Sequence, residues 1–258
     1  MEAADSLCLG CFANNGGRSP CPHCGWAQGT PAGSPLHLSP GTMLNDRYLL
    51  GKVLGHGGFG VTYLAWDLML KVKLAIKEYL PRELATRAPG HTAVTIFSSE
   101  RGFSFEKGLE SFLDEARRLA RFREHPNIVG IQDFFRANNT AYLVMNYIEG
   151  ITFREYLERA GGKLPFSAAL EIMMPVMDAL REVHDNGILH RDISPDNIYI
   201  STTGQVKILD FGAARNVLGE CSQSLSVVLK PGYAPEEQYR TRGEQGPVPY
   251  SARRRWCS

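Results

Sequence analysis

The sequence predicts an α+β chain in two lobes, strand-rich from Tyr48 to about Tyr147 and helical after that, with a small cysteine-rich module in front. Three observations support this. Runs of β-type residues gather before residue 147, apolar residues at helical spacing dominate from Phe153 onward, and four of the six cysteines fall before residue 25. A chain of 258 residues holds one domain of ordinary size with a small appendage. Its hydrophobic fraction of 43% belongs to a globular core rather than a disordered tail.

The module comes first. Cys8-Leu9-Gly10-Cys11 and Cys21-Pro22-His23-Cys24 form two C-x-x-C knuckles separated by nine residues. Each knuckle aims two thiolates at one point, and four thiolates complete the tetrahedron that structural Zn²⁺ prefers. Disulfides or unrelated free thiols are the plainer readings, but clustering of this kind points to metal. A zinc ribbon over residues 1–30 is therefore expected, with Cys8, Cys11, Cys21 and Cys24 as ligands. His23 is left out, because four sulfurs already close the site. Such ribbons dock proteins or read nucleic acid. The net charge of +1, from 28 basic and 27 acidic residues, favours a protein partner and gives no electrostatic case for nucleic acid. Cys221 and Cys257 read as ordinary free thiols. Residues 31–47, with Pro31, Gly33, Ser34, Pro35, Ser39, Pro40 and Gly41, read as a linker.

In the strand-rich lobe, 48–147, Tyr48–Leu54 and Val61–Ala65 are joined by glycines, which predicts a hairpin. Leu74–Lys77 and Ala141–Met145 read as further strands. Between them Phe112, Leu113, Ala116, Leu119, Ala120 and Phe122 recur at helical spacing, with Arg117, Arg118 and Arg121 on the other face. In the helical lobe, 148–246, Leu170, Met173, Met174, Met177, Leu180 and Val183 predict the core face of a long helix that Pro175 kinks. Residues 247–258 form an irregular tail, in which Arg253–Arg255 read as a solvated basic run. The acidic N-terminus lacks the pattern of a signal peptide, and no apolar run could span a membrane. A cytoplasmic chain without a membrane segment is expected.

The chemistry begins at Gly55-His56-Gly57-Gly58-Phe59-Gly60, placed between two strands. Glycines let backbone N–H groups approach phosphates without a Cβ in the way. The residues after the loop read as a strand, whereas a dinucleotide fold needs a helix there. Lys77 ends a short apolar strand, where a plain surface lysine is the alternative reading, and Glu115 on the next helix offers it a partner. The strongest signal is His190-Arg191-Asp192-Ile193-Ser194-Pro195-Asp196-Asn197, then Asp210-Phe211-Gly212, then Ala234-Pro235-Glu236. One Asp, an Asn five residues on and a second Asp supply a base and two metal-binding oxygens, as phosphoryl transfer requires.

On these motifs, from about Tyr48 to about Gly246, the chain resembles a bacterial, eukaryotic-type serine/threonine protein kinase. The resemblance implies a bilobal protein-kinase-like fold, ATP and Mg²⁺ as cofactors and a protein substrate. It implies that Gly55, Gly57 and Gly60 cover the ATP phosphates. Leu54, Ala75 and Thr62, which stands where the family usually has Val, would line the nucleotide. Lys77 would bind the α- and β-phosphates and pair with Glu115. Met145 would be the gatekeeper, and Asn146 to Ile148 the hinge that meets adenine. Asp192 would be the catalytic base, with Asn197 and Asp210 as Mg²⁺ ligands and 210–236 as the activation segment.

The sequence departs from the family in four further places. Ser194 stands where serine/threonine kinases usually carry a Lys, and Leu229 where they usually carry a Thr, which leaves Ser/Thr against Tyr preference open. The stretch between Lys77 and Glu115, including Pro81 to Gly108, is longer than the usual connection and reads as a subtype-specific insertion. After Glu236 only 22 residues remain, whereas the family's helical lobe continues with several helices. That departure carries the expectation of an incomplete helical lobe and an impaired kinase, which would act as a nucleotide- or partner-binding module. Ser222, Ser224 and Ser226, with Arg191 able to pair with a phosphate, are expected phosphorylation sites in the activation segment, an ordinary Ser-rich loop being the alternative.

Overall fold

The computed structural model describes residues 6–190 and 192–209. Outside the described residues lie Arg191, Asp210 and the rest of the expected activation segment, with Ser222, Ser224, Ser226 and Leu229. Cys221, Cys257 and the tail lie outside them too. The chain divides into two compact units. The first contains residues 6–124 and 130–148; of the second, 125–129, 149–190 and 192–209 are described.

The first unit is built on a six-stranded antiparallel sheet. Its strands are β1 (Met43–Leu44), β2 (Tyr48–His56), β3 (Gly60–Asp67) and β4 (Val72–Tyr79). After them come a short hairpin of β5 (Ala85–Arg87) and β6 (Val94–Ile96), helix α1 (Ser99–Leu119) with a 3-10 turn over Ala120–Phe122, and strands β7 (Ile131–Ala137) and β8 (Thr140–Asn146). The sheet order is β1-β2-β3-β4-β8-β7, which puts β4 between β3 and β8. The expected β2–β3 hairpin forms around the glycine-rich turn, and β4 and β8 fall where the apolar runs stand.

Local chemistry explains the other elements. Asn138 and Asn139 both adopt positive φ, 54° and 57°, and close β7 onto β8 with the two-residue turn that suits strand twist. Ser98 caps α1 by accepting from Arg101 N, Glu100 lies in the first turn, and Arg117 and Arg118 lie in the last, each complementing the helix dipole. Phe105, Leu109, Phe112, Leu113 and Ala116 are buried on one face of α1, with Tyr79 of β4 packed 5.2 Å from Phe105 and 5.7 Å from Phe112. Ala120, expected on that face, is exposed because the chain tightens into the 3-10 turn.

The segment 31–47, expected as a linker, packs against the sheet. Leu38 is buried and its N–H donates to Tyr63 Oη at 3.1 Å, and β1 pairs with β2. The cysteine module sits on the same sheet, with Lys52 N donating to Leu9 O at 2.9 Å and the Phe12 ring 5.8 Å from Trp66.

The second unit contains β9 (Gly150–Thr152), α2 (Phe153–Arg159), α3 (Phe166–Asp185), β10 (Ile198–Ser201) and β11 (Val206–Ile208). Thr152 and Glu155 form a reciprocal capping box that starts α2. Two findings differ from the sequence reading. First, a small sheet of order β11-β10-β9 lies in the part expected to be helical. Second, α3 buries Ile172, Val176, Ala179 and Val183, whereas Leu170, Met174 and Met177 are exposed. The charged residues Glu171, Asp178, Arg181, Glu182 and Asp185 share the exposed side opposite that buried row, and Leu170, Met174 and Met177 flank the charged side, so a core face read from the apolar residues alone is turned too far round. Pro175 lies inside α3 without ending it.

One polar cluster dominates the interior of the first unit. Glu78, on β4, is fully buried and accepts from Tyr63 Oη at 2.9 Å, Tyr142 Oη at 2.8 Å and Arg87 Nη1 at 3.2 Å, with Arg87 Nη2 on its other oxygen. Arg87 also donates to Leu36 O at 2.6 Å and Thr92 O at 2.9 Å. Near it His37, 6% exposed, has no hydrogen-bond partner for either ring nitrogen among the described residues. Burial lowers its pKa from the ordinary 6.5, helped by the positive charges of Arg82 and Arg87.

This cluster can be tested by mutation. Arg87→Ala leaves a carboxylate buried without its charge partner and should cost about 3–5 kcal/mol by denaturant unfolding, while the Glu78→Leu/Arg87→Met pair should cost clearly less. A single variant as stable as the parent contradicts the cluster. For His37 the folded state binds its proton less readily than the unfolded chain does. Its contribution is therefore complete above pH 6.5 and is lost as pH falls below that value. His37→Phe should flatten the acid-side slope of stability against pH, as measured by urea unfolding at several pH values, and should not destabilise the protein at pH 8.

Candidate active site

The register of β3, β4 and β8 decides which side chains share a face. Thr62 lies opposite Lys77, and Lys77 opposite Leu143; Leu64 lies opposite Ala75, and Ala75 opposite Met145. Cross-strand partners point the same way and alternate residues share a side, so Thr62, Ala75, Lys77 and Met145 line one face. Gly55, opposite Thr62, joins the same row. Leu54 sits at the irregular end of β2 and is exposed. Asn146 falls on the other alternation, opposite Leu74. Its N–H donates to Gly130 O at 2.9 Å, and its side-chain oxygen accepts from Gln132 at 2.6 Å. Ile148 ends this unit. Glu115 is buried in α1, and both Glu115 and Lys77 interact with other residues.

The glycines divide into two kinds. A Cβ on Gly60 would stand 2.1 Å from Glu78 O, so packing against β4 requires glycine there. At Gly55, Gly57 and Gly58 a Cβ would meet nothing within 4 Å, and none of the three has positive φ. Neither crowding nor backbone strain accounts for these glycines, and the space over them is open to a ligand.

In the second unit the loop after α3 is closed on itself by side chains. Asp192 is 9% exposed, and its carboxylate Oδ2 and backbone O both accept from Asn197 Nδ2 at 2.7 Å. Asp192 N donates to His190 Nδ1 at 3.3 Å, so His190 carries its proton on Nε2 and donates it to Leu209 O at 2.9 Å. Leu209 N returns to Asn197 O at 2.8 Å. Arg154 of α2 holds Asp196 with a two-pronged ion pair, and Arg154 N donates to Pro195 O at 3.1 Å. The carboxylate of Asp192 is thereby aimed by a neighbouring amide, and Leu209 hydrogen-bonds to both flanks of the loop immediately before Asp210.

The four cysteines of the module converge. Cys8 and Cys24 Sγ lie 3.6 Å apart, Cys11 and Cys21 Sγ 3.9 Å, and all four sulfurs lie within 4.8 Å of one another. His23 stays outside the group, its Nε2 3.2 Å from Asn14 O. Tight turns shape both knuckles, with Phe12 N on Cys8 O at 2.6 Å and Gly25 N on Cys21 O at 2.8 Å. Burial pushes the Cys8 thiol up to about 12 and raises Cys11. At Cys21 burial opposes ionisation, yet the N–H groups of His23 and Cys24 outweigh it and bring the thiol down to about 7.

Sequence reasoning did not single out several residues that the site rests on. Glu78 and Arg87 brace the strand that carries Lys77; a Glu inside an apolar strand is a signal that could have shown the first of them. His190 and Arg154 brace the Asp192 loop; His190 belongs to the motif but its spacing assigns it no role, and Arg154 gives no local sign.

The family model for the protein kinase domain matches residues 48–247. The chain is 36% identical over 213 residues to "Serine/threonine-protein kinase PknB" of Mycobacterium leprae (strain TN), covering 80% of this chain and 30% of that protein. It is 35% identical over 174 residues to "Serine/threonine-protein kinase PrkC" of Bacillus subtilis (strain 168), covering 67% of this chain and 24% of that protein. The chain thus spans less than a third of the length of these curated relatives. A solved structure described as "PpkA-294 apo form" superposes with a TM-score of 0.72 at 37% identity, covering 81% of this chain and 73% of that one. With the family match extending over most of its length and this fold beneath it, the chain belongs to the protein kinase domain family.

Proposed function

We propose that the chain is a serine/threonine protein kinase, which transfers the γ-phosphoryl group of ATP to a Ser or Thr hydroxyl of a protein substrate. The observation that carries this reading is the bracketed Asp192, a carboxylate oriented by Asn197 Nδ2 on a loop tied at both ends. Asp192 would accept the hydroxyl proton as the nucleophile attacks, and so serve as the catalytic base. Lys77, paired with Glu115, would hold the α- and β-phosphates beneath Gly55, Gly57 and Gly60. Leu54, Thr62 and Ala75 would flank the base of the nucleotide, and Asn146 and Ile148 would meet adenine through their backbones. The names of the similar proteins support serine and threonine as acceptors.

Mg²⁺ fits the donor set. Asn197 uses Nδ2 on Asp192, so its Oδ1 is the atom able to ligate a hard cation, and Asp210 would supply a carboxylate. Bound there, Mg²⁺ would neutralise the phosphate oxygens.

Zinc fits the cysteine module. Four thiolates about 2.3 Å from one ion stand about 3.8 Å apart, close to the spacings at Cys8–Cys24 and Cys11–Cys21. The ion would draw protons from all four thiols, including the buried Cys8, and would hold the module closed as a docking surface for a protein partner. No helix among the described residues is long and apolar enough to cross a membrane. We place this part of the chain in the cytoplasm, where ATP and reduced thiols are both at hand.

Three measurements test these readings. Asp192→Asn should lower peptide phosphorylation by roughly 10²–10⁴-fold, the usual contribution of a general base, while keeping the rise in melting temperature that Mg·ATP gives the parent. Lys77→Met should lose that rise, and a Lys77→Met protein stabilised as strongly as the parent shows that the nucleotide binds elsewhere. Purified protein should contain about one zinc per chain, as one four-thiolate site requires. A Cys8→Ser/Cys24→Ser variant should lose it and melt at a lower temperature, because the module packs on β2; full zinc content in that variant refutes the assignment.

A further inference from the structure

The ladder between β3 and β4 continues past the ends of both strands. Gly60 pairs with Tyr79, after which Leu80 N donates to Phe59 O and Arg82 N donates to Gly58 O, each at 3.0 Å. Pro81 between them has no N–H to give. The segment after the lysine-bearing strand is therefore hydrogen-bonded to the far limb of the glycine-rich loop. Arg82 also reaches the near limb, where its Nη2 stands 3.0 Å from His56 Nδ1. A guanidinium only donates, so Nδ1 is the acceptor. The His56 ring in turn lies 5.3 Å from the ring of buried His37. Gly57 N closes the loop internally on Gly60 O at 2.9 Å.

Arg82 therefore grips both limbs, one through its backbone and the other through its side chain. Gly57 lies between those grips, Gly58 is held by one of them and Gly55 stands next to the other, and the protein itself neither crowds nor strains any of the three. Left alone, such a run samples many backbone conformations, and ordering it over a ligand costs entropy residue by residue. A contact that orders it in advance removes part of that cost from binding.

We propose that Arg82 is a positioning residue for nucleotide binding, which pre-orders the glycine-rich loop by clasping His56 to the Leu80–Arg82 segment. The inference rests on the reading that this loop covers the phosphates of ATP. A competing reading makes Arg82–His56 an incidental contact between two exposed side chains, the kind that contributes little. That reading does not explain why the backbone of the same residue also bonds to the loop.

The test uses the whole chain and equilibrium binding of Mg·ATP. Arg82→Ala should weaken binding and raise the KM for ATP about three- to ten-fold, the effect of one net hydrogen bond, with kcat within about two-fold of the parent. Its melting temperature without nucleotide should not move. His56→Ala should give the same loss, and adding Arg82→Ala to it should give no more. Parent-like affinity in Arg82→Ala overturns the proposal, as does full additivity of the two losses or a fall in kcat at constant KM. A parent that binds no nucleotide would sink the kinase reading instead. In that case hydrogen exchange over residues 54–61 decides the clasp: faster exchange in Arg82→Ala supports it, and unchanged exchange overturns it.

Discussion

A carboxylate without solvent occupies the middle strand of the sheet, and the first unit is organised around it. Burying Glu78 is unfavourable unless a positive charge and several donors reach it. Tyr63 of β3 and Tyr142 of β8 supply two donors, because the neighbouring strands place them on the same face. The charge comes from Arg87, which reaches Glu78 only if the chain after β4 folds back as the β5–β6 hairpin. Arg87 then draws in Leu36 O, so the segment that precedes the sheet is also held by the same guanidinium. Three stretches distant in sequence are ordered by one ion pair.

Strand alternation gives this cluster its bearing on the proposed chemistry. Glu78 comes directly after Lys77, so the two side chains leave β4 on opposite faces. The polar network fixes one face, and the row of Thr62, Ala75, Lys77 and Met145 occupies the other. A strand anchored on one side holds side chains on the other side in fewer positions, and phosphoryl transfer depends on such positioning. The long stretch after Pro81 thus reads as a brace that locks β4 through Arg87 and reaches the glycine-rich loop through Arg82.

The second unit holds its loop by similar means. Apolar packing sets the strands and α3, but the Asp192 loop owes its shape to Asn197, His190 and the Arg154–Asp196 pair. Such bonds are directional, so they fix the aim of a carboxylate as well as its place. The cysteine module, on the first unit, is a third instance, in which four sulfurs face a common centre because backbone turns at each knuckle direct them there.

The sequence alone was enough to determine the order of the main elements, the hairpin at the glycines, the grouping of the four cysteines and the motif that carries Asp192 and Asn197. Each of these is written in local spacing: period two for β2 and β3, period 3.6 for α1, two residues between paired cysteines, five between Asp and Asn. Tertiary structure decided the features that local spacing does not encode. Strands as short as β9 and β11 exist only through their partner β10. The segment 31–47 has a linker's composition and yet is held in place, because Tyr63 and Arg87 take its backbone groups. The partnership of Glu78 with Arg87, like that of Arg154 with Asp196, depends on where the chain returns in space. A carboxylate in a strand shows that a partner must exist, and only the fold shows which residue it is.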